Sequence, residues 1–173
     1  MKKLYAILVL MALLALPATP AVATEGGKFK ATLTGYEEVP ALSSPGAGEF
    51  QAKLTSDGTA IEYTLTYSGL QNTFAAHIHL GQSGVAGGVS AFLCGGGGKP
   101  ACPLTGGTVT GTITAADVIG PVGQGIAAGE FDELVAAMTA GVTYANVHTN
   151  DNVAPPNTGP GDFPGGEIRG QIR

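Results

Sequence analysis

The chain has no tryptophan, only two cysteines and three histidines, and charged residues make up just 12% of its 173 positions. Its eight basic residues are outnumbered by thirteen acidic ones, which argues against nucleic acid or an anionic lipid surface as partner, since both require a basic footprint. Long hydrophobic runs are missing beyond Thr24, so no later segment approaches the ~20 apolar residues that cross a bilayer. The scarcity of sulfur also limits metal chemistry. Cys94 and Cys102 have no third ligand inside their "CGGGGKPAC" loop, which leaves a disulfide as the expected state of the pair.

What is present begins with compartment. Met1-Lys2-Lys3, the apolar run Leu4 to Leu16 and the small-x-small site Ala21-Val22-Ala23 are the three parts of a secretory signal peptide. Residues 1–23 are therefore expected to be removed and the protein exported, to the periplasm or the cell exterior. No cysteine follows the signal where a bacterial lipid attachment would need one. Residues 24–173 suit one domain of ordinary size, able to bury a proper core.

Abundant glycine with frequent threonine and valine predicts many short strands and tight turns, an all-β chain. Phe29, Ala31 and Leu33 alternate with Lys30, Thr32 and Thr34; Phe50, Ala52 and Leu54 alternate with Gln51 and Lys53; Ile61, Tyr63, Leu65 and Tyr67 alternate with Glu62, Thr64 and Thr66. Each pattern gives a core face and a water face. "SDG" at 56–58 predicts a hairpin between the second and third strands, its glycine supplying a positive φ. Further strands are expected at 74–80, 89–93, 107–114, 142–149 and 166–172, eight in all, which suggests two packed sheets. "EFDELVAAMTAG" instead predicts one short helix, with Phe131, Leu134, Val135 and Met138 at helical spacing and Gly141 as the stop. Residues 151–166, rich in proline and glycine, read as an ordered but irregular loop.

The chemistry concentrates on "FAAHIHLGQSG". In a strand, residues i and i+2 share a face roughly 6.5–7 Å apart. His77 and His79 thus project together while Ala76, Ile78 and Leu80 face the core. In "YANVHTND", His148 alternates with Val147 onto the same polar face as Tyr144 and Asn146. If the two strands are neighbours, three imidazoles converge in a set suited to copper or zinc. The plain alternative is polar punctuation of a solvent-facing strand. A serine triad is unsupported, because "GQSGV" lacks the last glycine of G-x-S-x-G. "GGGGK" fails as a phosphate loop, since Pro100 follows Lys99; it reads as a flexible loop inside the disulfide. "NDN" at 150–152 with Asp162 and Glu167 lacks the ordered spacing of a calcium loop.

Four stretches in order, "GYEEVP", "AHIHLG", "YANVHT" and "GGEIRGQI", resemble the CHRD domain, a module named after chordin and also found singly in exported bacterial proteins. The resemblance implies an immunoglobulin-like Greek-key β-sandwich without an established biochemical role. A more distant similarity, to copper/zinc superoxide dismutases, rests on the His-x-His strand before glycine and the later Val147-His148. It implies counterparts for three of that family's four copper ligands. With only three histidines in the chain, the metal-bridging histidine has no counterpart, and Arg169 does not align securely with that family's active-site arginine. The expected function is therefore a binding module, with copper or zinc at His77, His79 and His148. The alternatives are a copper-dependent redox enzyme and a purely structural or adhesive module.

Overall fold

The computed structural model describes residues 27–173, so the expected signal peptide lies outside the described residues. Among the described residues the fold is all-β with one α-helix and three short 3-10 turns. Its strands are β1 (Lys28–Thr34), β2 (Ala47–Leu54), β3 (Ile61–Ser68), β4 (Thr73–Leu80), β5 (Gly88–Cys94), β6 (Gly107–Ile113), β7 (Thr143–Thr149) and β8 (Ile168–Gln171), with helix α1 (Phe131–Thr139) before β7. All eight expected strands are present, and the Thr55–Ala60 turn carries Gly58 at φ +73°.

The strands form one antiparallel sheet in the order β5-β4-β7-β8-β1-β2-β3-β6. It is nearly closed. The two halves of the expected sandwich are continuous through β8 and β1, which meet at Thr34 and Arg169 and again where Lys30 and Arg173 exchange backbone hydrogen bonds. Gly170 permits this approach, because a Cβ there would lie 2.3 Å from the Thr32 carbonyl oxygen. At the opposite seam, between β5 and β6, the Tyr63 hydroxyl donates to the Leu93 carbonyl at 2.6 Å. Val118 bridges to Ala91 and the Ile119 amide donates to Ser90, so the free edge of β5 is covered rather than left as a pairing template.

The core fills the space between the halves. Leu33, Phe50, Leu65, Ile78, Leu93 and Ile168 are fully buried, each contributing about 1.5–3 kcal/mol through removal from water. Leu134 and Met138 of α1 close one side of it.

Burial patterns separate the two halves. On β1 and β3 it alternates, as a strand with one wet face requires. On β4 and β7 it does not: β7 is buried at every position, and β4 from Ala75 through His79. The outward faces of these two strands are therefore covered, so the polar face that carries His77 and His79 is not solvent-facing.

Part of that cover is the disulfide loop. Cys94 and Cys102 are bonded, with their Cα atoms 5.1 Å apart. Between them the chain is fastened rather than flexible, because Lys99 donates to the Asp117 carboxylate and the Thr112 carbonyl, both at 2.6 Å. The loop lies on Phe92, so closely that a Cβ on Gly96 would meet the ring at 2.4 Å. Reducing the bridge is expected to lower stability by about 2–3 kcal/mol, from restored chain entropy in the unfolded state. Urea midpoints of oxidised and reduced protein measure this, and coincident midpoints would contradict it.

Candidate metal centre

The pleat of β4 sends His77 and His79 outward together, and antiparallel pairing sets Asn146 opposite His77 and Ala75 opposite His148. His148 therefore lies diagonally beside His77. Register shifts flank the histidines, at Thr73/Ala75 toward β7 and at Ala76/His77 and Ile78/His79 toward β5. Irregularities of this kind re-aim side chains beside functional sites.

The result is a compact cluster. His77 Nδ1 lies 3.0 Å from His148 Nε2, and one nitrogen from each of the three rings falls within 4.8 Å of the others. All three residues are buried, at only 8%, 8% and 6% exposed for His77, His79 and His148. Backbone carbonyls fix two of the rings. His79 Nδ1 donates to Gly87 at 3.0 Å and His148 Nδ1 donates to Pro164 at 3.1 Å. Those bonds place the proton on Nδ1 and leave each Nε2 as a lone pair. The Nε2 atoms of His77 and His79 are buried with no hydrogen-bond partner, an arrangement native interiors seldom tolerate without a reason.

The electrostatics keep all three rings neutral. Burial, then the charges of His148 and His79, push His77 down to about 3. Burial and the His79 charge lower His148 to about 4 against the opposing pull of the Pro164 carbonyl. Burial lowers His79 as well, opposed by its bond to Gly87 and assisted by the charge of Arg169.

Around the histidines stands an aromatic and polar shell. Phe92 meets His77 edge-on at 4.4 Å and Phe74 tilts over His148 at 6.1 Å. Tyr144 stacks on His79 at 4.8 Å, and the Arg169 guanidinium lies 3.5 Å from the centre of the Tyr144 ring. Arg169 also donates to the carbonyls of Gln82 and Val85. Beside them, the Asn146 amide donates to Glu38 at 2.7 Å. Burial raises the Glu38 carboxyl to about 7, opposed by the Asn146 hydrogen bond and the Arg169 charge. Gly166 is required here, since a Cβ would lie 2.3 Å from Asn146 Oδ1.

A family model described as the CHRD domain matches residues 29–155, most of the chain. The chain belongs to the CHRD domain family. Searches of curated proteins and of solved structures return no match. The CHRD match encloses all three histidines and both cysteines. The four sequence stretches noted above meet in this CHRD fold: Glu38 comes from the first, His77 and His79 from the second, Asn146 and His148 from the third and Arg169 from the fourth.

Sequence reasoning placed His77, His79 and His148 on one face and left Glu38 and Phe92 out of the site. Alternation puts Tyr144 and Asn146 on the same polar face as His148, but nothing local announces that Glu38 reaches them. Asp162 and Glu167 do not form a cation site. Asp162 accepts from the Thr158 amide and hydroxyl, and Glu167 from Ser44, Thr149 and the Gly161 amide. They tie down the loop over His148. A cleft of about 740 Å³ lies elsewhere, on the outward face of β1–β3; the histidines are chemically distinctive because they are covered.

Proposed function

We propose that this CHRD domain is an exported metal-binding module that holds one copper or zinc ion through His77, His79 and His148. The observation that carries the reading is a buried set of three neutral imidazoles within 4.8 Å, two of them aimed by backbone carbonyls. Carbonyl-oriented imidazoles are the usual outer support of a metal-binding histidine. Neutral rings require no deprotonation before binding. An ion shared by three imidazoles lies ~2.0–2.1 Å from each nitrogen. His77 Nδ1 and His148 Nε2 lie 3.0 Å apart; with the His148 proton on Nδ1, His77 Nδ1 donates to His148 Nε2 in the metal-free protein, and an ion between them requires the His77 proton to sit on Nε2 instead. His79 Nε2 completes the set.

Titration of the metal-free protein with Cu(II) and Zn(II) by calorimetry is expected to show one ion bound, with copper tighter than zinc in the usual order for nitrogen sites. Because His77 and His148 take up protons only near 3 and 4, affinity should change little between about pH 8 and about pH 5, unlike an exposed histidine cluster. No binding at all would favour a structural or adhesive role for the domain.

One observation favours a second reading, a copper-dependent redox enzyme of superoxide dismutase type. The Arg169 cation is buried, stacks on Tyr144 and through it neighbours His79. Among the described residues the ion pair is Lys99–Asp117, so the Arg169 charge is balanced by no carboxylate at ion-pair distance and favours an anionic substrate. The chain has no fourth histidine. Superoxide loss that needs copper and falls in Arg169→Gln would support this reading; an inactive copper-loaded sample would remove it.

A further inference from the structure

The outward face of β1–β3 gathers positive charge in a chain that has little of it. Lys28, Lys30, Lys53 and Arg173 all line the 740 Å³ cleft there, out of eight basic residues in the whole sequence. Their placement sets like charges side by side with one carboxylate among them. Lys28 is the register partner of Lys53, which faces Glu62 on its other side, and Lys30 is paired with Arg173 through reciprocal backbone hydrogen bonds at 2.8 and 2.9 Å. Like charges directly opposite on adjacent strands are destabilising. Edge protection does not account for them, because β1 and β2 are interior strands.

We propose that this cleft binds an acidic polysaccharide, one whose carboxylate groups recur along an extended chain. The four cations are spread over three neighbouring segments, about 4.8 Å apart across the sheet and about 6.6 Å apart along β1. That two-dimensional spacing matches repeated anions rather than one small ion. Gln51, Thr64 and Glu62 sit among the cations and offer donors and acceptors for sugar hydroxyls. Nucleic acid fits less well, because the aromatic residues of the cleft, Phe29 and Tyr63, are only 3% exposed and present no ring on which a base can stack. A lipid surface also fits less well. The exposed large apolar side chains, such as Tyr36, Phe74, Leu104 and Val122, all lie outside this cleft, so nothing inserts among acyl chains. The site does not depend on the histidine cluster.

The test is affinity electrophoresis of the purified protein through gels containing polygalacturonate, neutral dextran or single-stranded DNA. Ionic strength is varied from about 0.01 to 0.1 M, over which the Debye length falls from ~30 to ~10 Å. Retardation by polygalacturonate that weakens with salt is expected, with none by dextran. The Lys28→Glu, Lys53→Glu double variant should bind roughly tenfold more weakly or worse, while Val122→Ser, exposed and outside the cleft, binds as the parent does. Lys28→Gln should also bind more weakly yet melt no lower than the parent, since it relieves the Lys28–Lys53 repulsion; weaker binding at unchanged melting separates loss of binding from loss of fold. Unaltered binding by the double variant, tighter binding to DNA, or no retardation at the lowest salt would overturn the proposal.

Discussion

Replacing His148 by alanine is expected to lower affinity for copper or zinc by at least about 100-fold, since even changes to groups that merely orient metal ligands cost 10–100-fold. The effect has two sources. His148 Nε2 is removed from beside His77 Nδ1, and the Pro164 carbonyl loses the ring it held. His77→Ala should act similarly. Thermal melting of both metal-free variants distinguishes a lost ligand from a lost fold, and Arg169→Gln provides a comparison in which all three imidazoles remain. If His77→Ala and His148→Ala fold and still bind metal as the parent does, the three-histidine site is wrong.

Acid is expected to destabilise the metal-free protein well above the ordinary carboxylate range. Unfolded histidines take up protons near 6.5, whereas folded His77 does so only at about 3 and His148 only at about 4. Between those limits the unfolded state binds more protons, so stability falls as pH falls. Each such histidine removes up to about 1.4 kcal/mol per pH unit. His79, also lowered, acts in the same sense. Glu38 acts in the opposite sense. Its folded value of about 7 exceeds the ordinary 4.5, so its contribution is complete below 4.5 and is lost as pH rises through 7. Glu38→Gln should therefore steepen the acid loss. Urea midpoints in chelator at pH 7 and pH 5 measure the balance. Equal midpoints in the parent protein would contradict three buried neutral imidazoles.

Much of this architecture was legible because two-residue alternation is a local signal. Phe29, Phe50, Ile61 and Leu65 read as core from neighbours two positions away, and they are core. Helix α1 was legible for the same reason, from Phe131, Leu134 and Met138. Long-range pairing was not. That β4 lies against β7 could be posed as a condition on His148, but no local pattern decides it, because 71 residues separate His148 from His77.

Burial of the histidines was hidden more deeply. Alternation marks the outward face of β4 as polar, and polar ordinarily means wet. Here Gly87, Pro164, Phe92 and Glu38 arrive from four separate loop or strand regions to cover that face. Their approach depends on glycines: a Cβ on Gly87 would lie 1.6 Å from the Leu80 carbonyl oxygen, and one on Gly95 1.9 Å from that of Phe74. Glycine-rich composition was visible in the sequence, whereas which surface those glycines allow the chain to approach is a property of the folded state.

The most direct measurement is the structure of crystals grown with Cu(II), with anomalous scattering recorded at the copper edge. The account predicts a single strong peak ~2.0–2.1 Å from His77 Nδ1, His79 Nε2 and His148 Nε2. Copper located only at surface residues, or absent from the cluster at saturating concentration, would contradict it.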